Sequence, residues 1–116
     1  MQIIGTAKCR VTKKCRLWFD QRGIPYHFLD CRKKPLGLGE LKAVAAGRSW
    51  HDLIDRDSAA WKKHQLEWKD FDPREEIIEH QELLITPILR DGPDVVIGSD
   101  PPGWQRIADK HRSGHV

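Results

Sequence analysis

The chain has 116 residues, of which 39% are hydrophobic and 32% charged, and it carries five Trp. That is the length of one domain; it is too apolar for a disordered chain, and its apolar runs fall well short of the roughly 20 residues of a membrane span. The net charge of +3, from 20 Lys and Arg against 17 Asp and Glu, is too mild to imply nucleic acid by itself. The cations are nevertheless gathered, at residues 8–16 and at Arg32-Lys33-Lys34, while residues 67–82 are acid-rich.

In chain order, residues 2–7 read as a short buried strand. Cys15 and Leu17-Trp18-Phe19, interleaved with Lys, Arg, Asp and Gln, predict an amphipathic helix over residues 12–22, with Thr12 as N-cap and Gly23 followed by Pro25 as the stop. Tyr26 to Asp30 alternates like a second strand. Strand, helix and strand form a βαβ unit whose right-handed crossover makes the strands parallel, so that both open on one sheet edge.

Residues 35–84 read as a helical insertion. It starts with a loop around Gly37 and Gly39, followed by a helix over 40–46 and short helices capped by Ser49 and Ser58. Asp72-Pro73-Arg74-Glu75-Glu76 has Asp as N-cap, Pro at the first helical position and acid in the first turn, predicting a helix to about residue 79. Pro87–Arg90 and Val95–Gly98 flank a turn with Asp91-Gly92 and predict an antiparallel hairpin. Asp100-Pro101-Pro102 opens a last helix with Trp104, Ile107 and Ala108 on one face, and the tail after Arg112 is polar. The order is a thioredoxin-like α/β layout over residues 1–116: β-α-β, helical insertion, β-β-α, with a four-stranded mixed sheet.

The three cysteines are Cys9, Cys15 and Cys31. An odd number, with Met1 followed at once by a strand that leaves no room for a signal peptide, leads to the expectation of reduced thiols in a cytoplasmic setting. No Cys-x-x-Cys pair exists and the six His are scattered singly, so no metal site is expected. His27, His64 and His80 are assigned surface or packing roles. Trp18, Trp50, Trp61 and Trp104 are assigned to apolar faces, and Trp68, between charges, to a lid or partner contact.

Cys9 lies between the first strand and first helix, where unpaired N–H groups and about half a positive charge favour thiolate over thiol. Lys8, Arg10 and Lys13 are near in sequence and act the same way. Cys9 is therefore the candidate nucleophile, and the alternative is a small buried filler. Cys31 emerges at the same sheet edge and is the candidate resolving thiol. Cys15, about two turns into the helix, is expected in the core.

Ile3-Ile4-Gly5-Thr6-Ala7-Lys8-Cys9, Arg22-Gly23-Ile24-Pro25-Tyr26, Leu53-Ile54-Asp55-Arg56 leading to Ala60-Trp61-Lys62-Lys63, Thr86-Pro87-Ile88-Leu89 and Gly98-Ser99-Asp100-Pro101 follow one another in an order and spacing that resembles the arsenate reductase (ArsC)/Spx family of glutaredoxin-like proteins. The resemblance implies a thiol-based reductase with Cys9 attacking an oxyanion, no bound cofactor, glutathione as cosubstrate and glutaredoxin or another thiol donor as partner. Lys13 and Arg10 would stabilise the thiolate and the incoming anion, with Thr12 beside them. Arg56 would reach in from the insertion, although the register could put Asp57 there. Thr86 and a cis Pro87 would shape the ligand groove. The family's Ser or Cys and Arg after the nucleophile are here Thr12 and Lys13, its arginine before the proline is Thr86, and its basic residue near the fourth strand's end is Asp100. The same resemblance implies an alternative, a non-catalytic Spx-like regulatory or protein-binding module whose partner is RNA polymerase. In neither reading is direct nucleic-acid or membrane binding expected.

Overall fold

A computed structural model describes residues 1–113, without the side chains of the last two. The polar tail expected after Arg112 lies, from residue 114, outside the described residues. The elements run β1 (Gln2–Gly5), α1 (Arg10–Gln21), β2 (His27–Asp30), α2 (Leu38–Ala45), α3 (Ala59–Lys63), α4 (Pro73–Glu79), β3 (Ile88–Asp91), β4 (Asp94–Ile97) and α5 (Pro101–Ser113). Short 3-10 turns at Trp50–Leu53, Leu66–Trp68 and Gln81–Leu83 complete the helical region. Among the described residues no helix is long and apolar enough to cross a membrane. The chain divides into two compact units, Met1–Lys34 with Thr86–Val116, and Pro35–Ile85.

The first unit is built on a sheet of order β2-β1-β3-β4. β1 and β2 are parallel, with Gly5 opposite Asp30, whereas β1–β3 and β3–β4 are antiparallel. The registers align Phe28, Ile3, Leu89 and Val96 in one row across the sheet. Because side chains alternate faces along a strand, that row faces α1 and α5 as a set, and it packs with Cys15, Phe19, Trp104, Ile107 and Ala108 into one core. Each such large apolar side chain taken from water contributes about 1.5–3 kcal/mol.

α1 ends where the sequence said it would. The Gly23 N–H donates to the Asp20 carbonyl and the Ile24 N–H to the Phe19 carbonyl, both at 3.1 Å, with Gly23 at φ +66°. This is the paired closure that a left-handed residue after a helix permits, and glycine adopts it without a Cβ clash. The start differs from expectation. β1 stops at Gly5 because the Cys9 N–H turns back to the Thr6 carbonyl at 3.2 Å, and Cys9, not Thr12, is the N-cap of α1. Thr12 is inside the helix and wholly buried. At α5, the Asp100 carboxylate accepts from the Gly103 N–H at 3.1 Å and caps the helix.

The second unit is a run of short helices tied by side-chain caps. Ser49 accepts from His51 N–H, Ser58 from Trp61 N–H, and Asp72 from the N–H groups of Arg74 and Glu75. Gln81 clasps the Leu36 backbone with two hydrogen bonds of 2.7 Å. Its one strand-like link joins Ile54 to Leu84 as an isolated antiparallel bridge. Trp61 and His51 each set an edge against Phe71, at 5.7 Å between ring centroids.

Candidate functional site

Two strands and one helix place the Cys9 sulfur. Gly5 ends β1 directly beneath α1: a Cβ there would sit 2.6 Å from Thr12 Cγ2 and overlap Thr12 Oγ1. Only a residue without a side chain lets the helix come this close to the strand. Thr12 is therefore buried, and one turn earlier Cys9 caps α1 with φ −74° and ψ 120°, its carbonyl accepting from Lys13 N–H at 3.1 Å. From the other side, Thr86, just before β3, donates its hydroxyl to Cys9 Sγ at 3.1 Å, and the thiol faces the Thr86 carbonyl at 3.8 Å. The Thr86–Pro87 peptide is cis.

Three thiols in one small unit have different protonation behaviour. At Cys9 the largest single influence is burial, which pushes the thiol pKa up. The hydroxyls of Thr12 and Thr86 and the backbone N–H groups of Thr12 and Val11 oppose it and together prevail, so the pKa falls below its ordinary value. The sulfur closes no N-cap hydrogen bond and Thr12 Oγ1, fully buried, has no partner at hydrogen-bonding geometry. These donors act on the sulfur as oriented dipoles, held where a negative charge would complete them. Cys15 is 0% exposed in the core, and burial pushes its pKa up to about 12. Cys31 is buried at 8% exposure. Burial is again the main cause of its raised pKa, and the charges of Asp30 and Cys9 add to it.

The structure brings Cys9, Thr12, Thr86 and Pro87 together, with Cys31 on the neighbouring strand end, its N–H bonded to the Gly5 carbonyl at 3.0 Å. Lys8, Arg10 and Lys13, expected to depress the Cys9 pKa, are exposed, and the leading groups at the sulfur are hydroxyls and amides. Exposed cations act through water and salt, which weakens them, whereas a hydroxyl at 3.1 Å acts directly. Arg56 belongs to the second unit, where its guanidinium lies over the Trp61 ring at 5.4 Å, and the Asp57 N–H donates to the Asp55 carboxylate. Sequence reasoning missed Gly5 as the residue that seats the helix, and it gave Thr86 a groove-shaping role where the structure shows a direct donor to sulfur. Nothing local in the sequence places residue 86 beside residue 9; only the β1–β3 pairing does.

No family model matches the chain. It is 30% identical over 91 residues to the global transcriptional regulator Spx 2 of Oceanobacillus iheyensis, covering 73% of this chain and 67% of that protein. Among solved structures it superposes on the YffB protein with a TM-score of 0.80 at 21% identity, covering 90% of this chain and 96% of that one. It also superposes on an ArsC family related protein from Bacteroides fragilis with a TM-score of 0.78 at 18% identity, covering 91% and 97%. At such identities the structural matches speak for the thioredoxin-like fold, and the Spx relative carries kinship in sequence. With a four-stranded mixed sheet that sets one half-buried cysteine at the first strand–helix junction, the chain belongs to the arsenate reductase (ArsC)/Spx family of glutaredoxin-like proteins.

Proposed function

We propose that the protein is a thiol-dependent reductase of the ArsC kind, with Cys9 as nucleophile and glutathione or a glutaredoxin-like protein as the thiol donor. The observation that carries this is the contrast among the thiols: Cys9 alone has a lowered pKa, with the Thr86 hydroxyl 3.1 Å from its sulfur, while Cys15 and Cys31 are raised by burial. The thiolate is the reactive form. In exchange with a disulfide R–S–S–R′, Sγ bonds to one sulfur and the other leaves as R′–S⁻. A second thiolate, such as glutathione, then attacks the mixed disulfide, takes R as R–S–S–G and restores the Cys9 thiolate. Cys31, on the neighbouring strand end, is the candidate resolving thiol in the absence of an external donor, and it must first lose its proton, which burial opposes.

Arsenate is a poor fit. Lys13 lacks the two-pronged fork of arginine, Thr86 is uncharged, and at the end of β4 the Asp100 carboxylate, engaged in capping α5, would repel an oxyanion. A disulfide or other sulfur electrophile suits two hydroxyl donors better. The test is alkylation of each cysteine as a function of pH, followed by mass analysis for a glutathione adduct. Cys9 alkylating at lower pH than the other two, and forming the adduct, supports the reading; a Cys9 that titrates with them and forms none overturns it.

A second reading has its own support in the Spx relative: a regulatory or protein-binding module acting on transcription, with RNA polymerase as its partner. It predicts that Cys9→Ser leaves partner binding intact. With Thr12 three residues after Cys9, the module would have no Cys-x-x-Cys pair with which to sense oxidants.

A further inference from the structure

The edge of the first unit that carries Cys9 holds an unusual concentration of unpaired positive charge. Lys8, Arg10, Lys13 and Lys14 stand on the approach to α1 and its first turn, and all four are exposed. Arg32, Lys33 and Lys34, also exposed, follow β2. The two groups share an edge because β1 and β2 are parallel: Gly5 pairs with Asp30, and the Cys31 N–H bonds to the Gly5 carbonyl. Among the described residues none of these seven side chains forms an ion pair. The carboxylates of this unit on the same edge are Asp30 and Asp100; both keep their charge while accepting from amides, so the seven cations outnumber them and the rim stays net positive. Asp30 accepts from the N–H groups of Arg32 and Lys33 at 3.0 and 3.4 Å, and Asp100 from Gly103 N–H. Beside the sulfur, Thr12 Oγ1 is fully buried and unpartnered, a donor held at the helix N-terminus for a negative charge.

We propose that this rim selects its reaction partner by charge, and that the disulfide attacked by Cys9 is carried on an acidic peptide segment of a protein. The inference rests on Cys9 being the nucleophile. An array spread over two segments, with its charges in water, does not grip one small oxyanion, which needs converging donors. It does attract an extended polyanion, concentrating it at the edge and raising its encounter rate by about tenfold or more. A nucleic acid would answer the charge but brings no sulfur to the thiolate at its centre. An acidic polypeptide answers both. In the step itself, Cys9 Sγ bonds to the acidic peptide's sulfur, the S–S bond breaks, and the departing thiolate carries away the electron pair.

The test uses the full chain and three synthetic peptides, each holding one cysteine as a thiopyridyl mixed disulfide flanked by Glu, Gln or Lys. Release of thiopyridone is followed by absorbance, and each rate is normalised to alkylation of Cys9 by uncharged iodoacetamide. The expected order is Glu, then Gln, then Lys, with about tenfold between the first and last at low salt and a narrowed gap at high salt. The Arg32→Glu/Lys33→Glu/Lys34→Glu variant, checked for folding by its thermal melt, loses the preference for the Glu peptide; should it fail to fold, the salt dependence of the parent chain decides. Equal rates for the three peptides at low salt overturn the proposal and leave Cys9 chemistry standing. No release from any peptide, with iodoacetamide also silent at Cys9, overturns the nucleophile assignment and the proposal with it. Tight, salt-sensitive retention of a duplex oligonucleotide without any preference among the peptides reassigns the rim to nucleic acid.

Discussion

The two ends of one sheet treat charge in opposite ways. At the end where β3 turns into β4, charges are paired across three parts of the chain: Arg106 meets Asp94 at 2.7 Å, Lys110 meets Asp91 and Asp94 at 3.3 and 3.4 Å, His111 lies 3.3 Å from Asp91, and the N-terminal amine is 4.0 Å from the same carboxylate. At the other end the cations have no carboxylate partners among the described residues, and the sulfur is served by hydroxyls and amides. The first end fastens α5 and the chain's start to the hairpin. The second leaves its charge available to a ligand. Holding the sulfur through hydroxyls and amides leaves the surrounding cations free for recognition.

The largest effect that sharpens this contrast is loss of the nucleophile itself. Cys9→Ser is expected to reduce alkylation and mixed-disulfide formation at neutral pH to background, because Cys15 and Cys31 remain protonated thiols. Mass analysis after brief alkylation checks it, and labelling that persists on Cys31 would break the comparison. Next in size is Gly5→Ala. The added Cβ must displace Thr12, which overpacks the strand–helix contact at a cost of about 1–3 kcal/mol. Urea unfolding reads that loss, and in the molecules that fold the Cys9 alkylation profile moves to higher pH as the buried hydroxyl and the first-turn amides shift.

These two positions also show how far the sequence could be read. Asp72-Pro73 marked the start of α4 to the residue, because a capping side chain and a proline act locally. Phe19, Trp104 and Ile107 were legible as core from periodicity alone. The N-cap of α1 was misplaced by three residues, at Thr12 instead of Cys9, because Thr12 has a capping side chain and cysteine is an uncommon cap. What decides the matter is the close approach of Gly5, a contact across seven residues that no local pattern encodes. α2 begins at Leu38 rather than Glu40, since Gly37 and Gly39 read as loop while Glu40 reaches back to the Gly37 N–H at 3.2 Å. Cys9 itself was legible as an element boundary. Its partner Thr86, 77 residues away, depends on strand order.

Removal of the Thr86 hydroxyl tests whether dipoles or cations hold the thiolate. A hydrogen bond to a charged group is worth about 1.5–3 kcal/mol, and the half-buried setting reduces it to about 1 kcal/mol, or roughly fivefold in alkylation rate at neutral pH. Thr86→Val is expected to show that drop, with the pH profile displaced upward, while Thr86→Ser recovers most of it. A profile that instead follows Lys13→Gln and leaves Thr86→Val unchanged would assign the control to the cations.

The smallest effect belongs to the paired end. The Arg106 hydrogen bond, ahead of that from Lys110, holds the Asp94 carboxyl below the usual carboxylate range. A carboxyl whose pKa is lower folded than unfolded stabilises the fold above its unfolded value, and that contribution is lost as pH falls through the folded value. Asp94→Asn should therefore lower stability at neutral pH by no more than about 0.2–1 kcal/mol, since these groups are partly exposed and screened. Its penalty should shrink in high salt and vanish in acid, where Asp94 is protonated in the parent chain as well. Because this network is at the far end of the sheet, the alkylation profile of Cys9 should not move in the same variant. A coupled shift would mean that the hairpin end transmits to the sulfur through β3, and the two ends would then have to be treated as one electrostatic system.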